Sequence, residues 1–363
     1  MTTELRVAPQ RRPAGPRRPL ASHNRLRAGQ EEDVDPEPAL RAIAFELERA
    51  GAPTYRVRAF RRAAQAVRDL GPAGLRGRLE AGTLRAVAGI GPVTAEVIEQ
   101  AGRGEQPAYL ARLRSENPPS GRDGLRAALR GDCHVHSDWS DGGSPPWEMA
   151  EAARALGHEW IALTDHSPRL TVARGLSAER LADQLGLISK LNAGLAPFRV
   201  LTGIEVDILD GGALDQREDL LGALDVVVAS VHSRLRMPRE QMTERMVAAV
   251  RNPQVDVLGH CTGRMIAGRG RPESDFDADA VFAACAESGV AVEINCRPER
   301  QDPPERLLRA AAAAGCLFAI DTDAHAPGQL DWLGSGCARA SELGIGPDRV
   351  INSRSAAAMA AGR

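Results

Sequence analysis

The hydrophobic pattern in the front part of the chain is helical. Apolar residues recur every three or four positions, as at Leu40, Ile43 and Leu47, and this spacing predicts an amphipathic helix. Pro53 interrupts the pattern before it resumes, so we expect two short helices here and a third around residues 75–84. This part of the chain therefore predicts a small all-α unit.

From residue 131 onward the pattern changes. Short apolar stretches rich in β-branched residues alternate with longer segments rich in alanine and leucine, which is typical of parallel β/α folds. Seven strands are predicted, at Asp132–His136, Trp160–His166, Arg199–Asp207, Asp225–His232, Val255–His260, Val290–Asn295 and Leu317–Asp323. The fold class that follows is α/β.

A glycine-rich run at residues 87–98 has the form of a helix-hairpin-helix turn. Gly89 and Gly91 permit a tight turn, and Pro92 suits the first turn of the next helix. The turn around Gly89, Gly91 and Thr94 could present backbone amides to a DNA phosphate, although such a run is often only a helical connector. The DNA-binding hypothesis is favoured by the nearby arginines Arg56, Arg58, Arg61, Arg62 and Arg85.

Composition indicates a globular protein whose two parts differ in charge. Of the 363 residues, 43% are hydrophobic and 26% are charged, which is enough for a large core and two domains. Residues 1–130 have a net charge of +8 and the remainder −10. The front part fits a polyanionic partner and the back part fits carboxylates around cations, while solvated charged faces would give similar totals.

Proline, glycine and charge divide the chain into four segments. Residues 1–37 are rich in arginine and proline without apolar periodicity, so we expect a disordered tail. Residues 38–114 are expected to form the helical unit, residues 115–130 a linker and residues 131–363 the α/β domain.

The expected location is cytoplasmic, with no membrane partner. No run approaches the roughly 18 apolar residues of a membrane span, and the N-terminal residues lack the apolar core of a signal peptide. The six cysteines are scattered without a C-x-x-C pair, which favours reduced and mostly buried thiols: Cys133, Cys261, Cys285, Cys296, Cys316 and Cys337.

Candidate metal ligands lie at the predicted strand ends. His134 and His136 share a face of the first strand, but alone this pair fits a solvated surface equally well. Six of the eight histidines end a strand or directly follow one, and the carboxyl ends of barrel strands meet at one mouth. This regularity predicts a metal cluster, while His23 and His158 fall outside the strand ends and are expected at the surface.

Residues of about 131–350 resemble the PHP (polymerase and histidinol phosphatase) family, which comprises trinuclear metallophosphoesterases. The segments at residues 164–167, 203–208, 230–234 and 321–325 most resemble the PHP domain of bacterial family X DNA polymerases. The resemblance implies a distorted seven-stranded (β/α)7 barrel preceded by a small all-α helix-hairpin-helix domain. It also implies three divalent metal ions, manganese or zinc, with iron as a further candidate.

The resemblance assigns nine side chains to three ions. The sets are His134, His136, Glu205 and Asp323; Glu205 as a bridge with His232 and His260; and Asp141, His166 and His325. The expected catalytic residues, acting through a metal-activated hydroxide, are His134, His136, Glu205, Asp323 and His325. Arg234, Arg264 and Arg300 follow three strand ends and could bind the substrate phosphate or form surface salt bridges.

Two further polar residues are expected to support the ligands. Asp165, beside His166, is expected to orient a ligand imidazole, and Asn295 ends the sixth strand.

The front part resembles the N-terminal helix-hairpin-helix domain of the same polymerases. Only about 25 residues separate the two resembling segments, too few for a palm and fingers, so we expect no polymerase activity. Lys190 is the only lysine and lies outside the helical unit, which therefore lacks the nucleophile for a Schiff base with deoxyribose phosphate.

The leading hypothesis is a metal-dependent phosphoesterase acting on DNA, as a 3′-5′ exonuclease or a nuclease for abasic sites or 3′ ends in repair. The alternatives are a small-molecule phosphatase, such as one for histidinol phosphate, and a non-catalytic DNA-binding scaffold with structural metals. A full ligand set at one mouth speaks against the scaffold, because a barrel needs no such charges for stability.

Overall fold

The structure is a computed structural model that describes residues 35–361. Most of the expected disordered tail, residues 1–37, lies outside the described residues, as does His23.

Four helices form the front unit: α1 Glu37–Arg49, α2 Thr54–Glu80, α3 Pro92–Gly102 and α4 Ala108–Glu116. Their apolar stripes pack into one cluster that includes Ile43, Leu47 and Phe60. Helix α2 is kinked at Gly71, whose φ is 64°. The third predicted helix is the part of α2 after this kink, and it ends at Glu80 rather than near residue 84.

Seven parallel strands follow, as predicted. They are β1 Gly131–Val135, β2 Trp160–Leu163, β3 Arg199–Asp207, β4 Val226–Ser230, β5 Val257–Leu258, β6 Ala291–Asn295 and β7 Phe318–Asp321. Each strand pairs with the next in chain order, and a single parallel bridge between Val135 and Ala324 joins the two edges. The sheet is therefore a nearly closed barrel, which confirms the expected fold class.

Helices cover the outside of the barrel. They are α6 Pro146–Ala155, α7 Ala178–Leu195, α8 Glu218–Leu221, α9 Arg239–Val250, α10 Ala278–Ser288, α11 Glu305–Ala313 and α12 Leu333–Glu342. The last helix, α13 Ala356–Ala360, instead packs Met359 against residues of the barrel interior. The barrel interior holds a second apolar layer that includes Cys133, Trp160, Leu201 and Val228. Burial on both faces explains why the strands have continuous apolar runs. All six cysteines are free and buried, as expected.

The segment expected to be a linker, residues 115–130, is partly built into the barrel. It contains the short helix α5 Gly124–Ala128, and Leu125 and Leu129 belong to the main hydrophobic core. The glycines and prolines suggested a linker, but these two leucines are buried and α5 packs against α12. Within residues 35–361, no helix combines the length and the hydrophobicity needed to cross a lipid bilayer.

Candidate metal centre

Nine side chains of the kind that bind metals meet at the mouth of the barrel, and all nine belong to the predicted set. They are His134, His136, Asp141, His166, Glu205, His232, His260, Asp323 and His325. Each comes from the carboxyl end of a strand or from the loop that follows it, because parallel strands all end on the same side of the barrel.

Glu205, on β3, is the centre of the cluster. Its Oε1 atom lies 3.3 Å from His232 Nε2 and 3.0 Å from His260 Nε2. Its Oε2 atom lies 3.3 Å from His134 Nε2 and 2.8 Å from His166 Nδ1. His136 Nε2 lies 3.6 Å from Oε2 as well, so one buried carboxylate faces five imidazoles, a position from which it could bridge two cations.

Two further groups lie beside Glu205. His136 Nε2 is 3.4 Å from Asp323 Oδ1, and His134 completes this group. Asp141 Oδ1 is 3.6 Å from His166 Nε2 and 3.3 Å from His325 Nε2. The position of His166 differs from the expected sets, because its two ring nitrogens face both Glu205 and Asp141.

The donor atoms fit divalent cations. Buried and without a hydrogen-bond partner among the described residues are Nε2 of His134, both ring nitrogens of His136 and His232, and both oxygens of Glu205. Unpaired polar atoms in such a buried site carry a large desolvation cost, which a bound cation would offset. Imidazole and carboxylate together suit zinc, manganese or iron.

Electrostatics sets different protonation states for the proposed ligands. Burial, followed by the neighbouring His325 and His166, holds the pKa of His136 well below its usual value, so this imidazole stays neutral. Burial alone would raise the pKa of Glu205, but the imidazoles of His134, His232 and His166 outweigh it and hold that pKa well below its usual value. Burial would lower the pKa of His134 and His232, but the carboxylate of Glu205 outweighs it and raises the pKa of His134 well above its usual value and that of His232 to about 9. A bound cation would therefore have to displace protons from these two imidazoles, while His136 offers a neutral donor.

Comparison with known proteins agrees with this geometry. The family model for the PHP domain matches residues 132–297. A "probable phosphatase" of Caldanaerobacter subterraneus is 31% identical over 216 residues, which cover 56% of this chain and 79% of that protein. The chain belongs to the PHP family. Its barrel is a phosphoesterase domain, that of a hydrolase acting on phosphoric esters.

A relative with a longer chain is the "DNA polymerase/3'-5' exonuclease PolX" of Bacillus subtilis. It is 40% identical over 227 residues, which cover 62% of this chain and only 40% of that protein. Histidinol phosphate phosphatase from Lactococcus lactis, solved with zinc, L-histidinol and phosphate, has a TM-score of 0.45 and 22% identity, over 60% of this chain and 92% of that one.

Glu293 is a residue of the PHP barrel that sequence reasoning missed. It is fully buried on β6, and its Oε1 atom lies 2.6 Å from His134 Nδ1. Its Oε2 atom accepts hydrogen bonds from the His260 backbone amide and, at 3.2 Å, from Asn295 Nδ2. The alternation of Ala291, Glu293 and Asn295 along β6 was the available signal, because it puts a carboxylate on the interior face.

The expectation that Asp165 orients a ligand imidazole was wrong. Its carboxylate accepts hydrogen bonds from the backbone amides and hydroxyls of Ser137 and Ser140 and from Gln184 Nε2. Asp165 therefore holds the loop after β1, and that loop carries Asp141. Asn295 lies in a supporting position, with Nδ2 3.3 Å from Asp323 Oδ2.

The three predicted arginines lie in different environments. Arg300 reaches the centre, with Nε 3.2 Å from Asp323 Oδ2. Arg264 Nε donates instead to the carbonyl of Arg300 at 3.0 Å, so it supports the loop that carries Arg300. Arg234 is 58% exposed and pairs with Asp210.

A fourth arginine, which sequence reasoning also missed, reaches the PHP centre. Arg297 Nη1 lies 3.1 Å from His325 Nδ1 and 3.5 Å from Asp323 Oδ1. The sequence signal for Arg297 was its position two residues after the end of β6, because the other arginines were selected for following strand ends.

The glycine-rich turn joins a short 3₁₀ segment, Leu84–Ala86, to α3. Gly89 has a φ of 90°, a backbone conformation that residues with a side chain rarely adopt. A Cβ added at Gly91 would have no atom within 4 Å. Thr94 is buried, and its hydroxyl bonds to the Gly91 backbone, so the side chain of Thr94 stabilises the turn rather than facing a phosphate.

The structure also shows the surroundings of Arg61 and of His158, and it contradicts the expectation that His158 lies at the surface. Arg61 is not a free cation beside the turn, since it pairs with Glu48 and Glu148. His158 is not a surface residue either, since it is 5% exposed and its Nε2 lies 3.0 Å from Arg126 Nη2.

Proposed function

We propose that this PHP protein hydrolyses phosphate esters in DNA, as a 3′-5′ exonuclease or as a repair nuclease for abasic sites or 3′ ends. The observation that carries the proposal is a full set of metal-binding side chains in one chain with a helix-hairpin-helix type of turn. The PolX relative, whose name includes a 3′-5′ exonuclease, adds support through its 40% identity.

The nine side chains at the mouth are the proposed metal ligands. Manganese or zinc is proposed, with iron as a further candidate, in the three sets that the family resemblance implied, with His166 also facing Glu205. When bound, such ions supply Lewis acidity and water activated at neutral pH.

The chain's own arginines are proposed to bind the phosphate of the substrate. Arg300 Nη1 is buried and has no hydrogen-bond partner among the described residues, so it can donate to a phosphate oxygen. Arg297 adds a second positive charge beside His325 and Asp323. Charge-assisted bonds of this kind orient a phosphate and stabilise its charge.

The helical unit is proposed to hold the DNA backbone. Around the turn, the exposed side chains are Tyr55, Arg58, Arg62, Arg85 and Val93. The open space at Gly91 lets a phosphate come close to the start of α3, where the positive end of the helix dipole favours an anion. These contacts give affinity without sequence specificity.

The proposed location is the cytoplasm. Six free and buried thiols suit a reducing compartment.

The test compares three substrates with metal-reconstituted full chain: DNA with a 3′ end, DNA with an abasic site, and histidinol phosphate. We expect the wild type to cleave DNA and His134→Ala to be inactive. Arg62→Ala should cleave DNA more slowly than the wild type while its activity on histidinol phosphate is unchanged. Failure to cut any DNA, with His134→Ala and the wild type behaving alike, would overturn the proposal.

A small-molecule phosphatase is the second candidate. The observation in its favour is that phosphatase-named relatives match over most of their own length, 79% in the Caldanaerobacter protein. This function would be established if the protein released phosphate rapidly from histidinol phosphate, at the same rate in Arg62→Ala, and cleaved none of the DNA substrates.

A further inference from the structure

The helical unit contacts the two loops that carry Asp141 and His325. One is the loop between β1 and α6, residues 136–145, and the other is the segment after β7, residues 322–332. The two loops also bind each other, because the Gly143 amide donates to the carbonyl of His325 at 2.7 Å.

Arg61, on α2, joins the helical unit to the first loop. Its Nη1 atom donates to the hydroxyl of Ser144 and, at 3.0 Å, to Glu148 Oε2 at the start of α6. Arg41, on α1, binds the other oxygen of Glu148 at 2.6 Å. The carbonyl of Ser144 in turn accepts from the Asp138 amide at 2.9 Å, so the anchored residue closes the loop that carries Asp141.

The second loop is held by α1. Glu48 Oε2 accepts from the Gly328 amide at 3.0 Å. A Cβ at Gly328 would lie 2.1 Å from the carbonyl oxygen of Phe45, so the helix backbone packs directly on this glycine. The next residue, Gln329, accepts from the His325 amide at 2.7 Å, which carries the contact to a proposed ligand.

Arg61 links the two anchors to each other. Its Nε atom donates to Glu48 Oε1 at 2.8 Å while Nη1 binds Ser144 and Glu148. Glu48 is 4% exposed, so its carboxylate is shielded from water and would be left buried without its cation if Arg61 were removed. By contrast, His134 and His260 are held by Glu293 from within the barrel.

We propose that the docked helical unit is a structural part of the metal centre. This inference rests on the proposed function, and it makes Arg61 a positioning residue. Through Glu48, Ser144 and Glu148 it fixes Asp141 and His325, and the ion held by Asp141, His166 and His325 depends on it. The ions held around Glu205 do not.

The test measures bound metal in Arg61→Ala and in Glu148→Gln, a milder change that preserves side-chain volume. Each full-length protein is loaded with zinc or manganese, dialysed against a graded chelator and analysed for metal content. We expect each variant to lose one of three ions at a chelator concentration about 10–100-fold lower than the wild type requires. This is the usual effect of removing a residue that holds a metal ligand in place. The control is Arg78→Ala, an exposed arginine of the same helix.

A second measurement needs no metal. Hydrogen exchange of the metal-free full chain should speed up in residues 138–144 and 325–332 of both variants, and stay unchanged in β4. Full retention of three ions, or an equal weakening of all of them, would overturn the inference. If the variants lose one ion and the wild type cuts no DNA, the proposed function is refuted and this inference stands. A wild type that binds fewer than two ions would refute both.

Discussion

His134 Nδ1 lies 2.6 Å from Glu293 Oε1, inside the barrel and away from water. This contact fixes which ring nitrogen of His134 faces the centre, because a proton on Nδ1 leaves Nε2 free towards Glu205. The same carboxylate binds the backbone amide of His260. Glu293 thus orients two of the proposed ligands without lying among them.

Glu293→Gln should weaken metal binding by about 10–100-fold, because an amide orients an imidazole less strongly than a carboxylate does. Isothermal titration with zinc into the metal-free protein measures the change. Glu287→Gln, at an exposed glutamate on the outside of the barrel, is the matched control. Equal affinities in the two variants would contradict the role of Glu293.

Arg300→Ala should lower kcat/KM on DNA by about 10–100-fold, since a hydrogen bond to a charged group contributes about 1.5–3 kcal/mol. Steady-state kinetics at saturating metal checks this, with metal content measured in parallel because Arg300 also contacts Asp323. Arg234→Ala should change kcat/KM less than about twofold, because Arg234 is exposed and paired with Asp210. The opposite ranking would remove Arg300 from the proposed phosphate site.

Gly91→Val should weaken DNA binding by roughly tenfold while leaving the melting temperature nearly unchanged. A side chain there meets no atom within 4 Å in the fold, but it would keep a phosphate away from the start of α3. Fluorescence anisotropy with labelled DNA and metal-free protein measures binding without cleavage. Gly77→Val, at another glycine with open space, is the control. Unchanged affinity in Gly91→Val would argue for a plain helical connector.

His158 should make the protein less stable in acid. Burial, followed by Arg126 and Arg122, lowers the pKa of His158 from 6.5 to about 3. The unfolded chain therefore binds more protons than the folded one between these values, and stability falls as pH drops below about 6.5. At pH 4.5 the contribution of His158 is roughly 3 kcal/mol, because each pKa unit corresponds to about 1.4 kcal/mol.

His158→Gln should remove this part of the acid sensitivity. Urea unfolding of both proteins at pH 7 and at pH 4.5, with a chelator present to exclude metal effects, gives the difference. The variant should lose less stability than the wild type between the two pH values. Parallel losses would show that His158 is not held neutral by its surroundings.

The positions of the strands and of most strand-end histidines followed from the sequence pattern, and the resemblance to the PHP family implied the full set of nine ligands. Apolar β-branched runs ended in histidine or carboxylate residues, and a parallel barrel brings such ends together whatever the detailed packing. Glu293 was missed because it lies inside a strand rather than at its end, between Val292 and Ile294. Asp165 was misjudged because adjacency to His166 in sequence does not decide which groups its carboxylate meets.

The sequence by itself determined the local periodicity, the barrel and the type of chemistry at its mouth, because these depend on residue types at regular spacing. Tertiary structure decided how the helical unit meets the barrel. Arg61 and Glu148 are 87 positions apart, and no spacing rule brings such residues together. Docking converts an arginine that resembled a DNA contact into a partly buried link to Glu48, Ser144 and Glu148, because ion pairs form between surfaces that folding has already brought together.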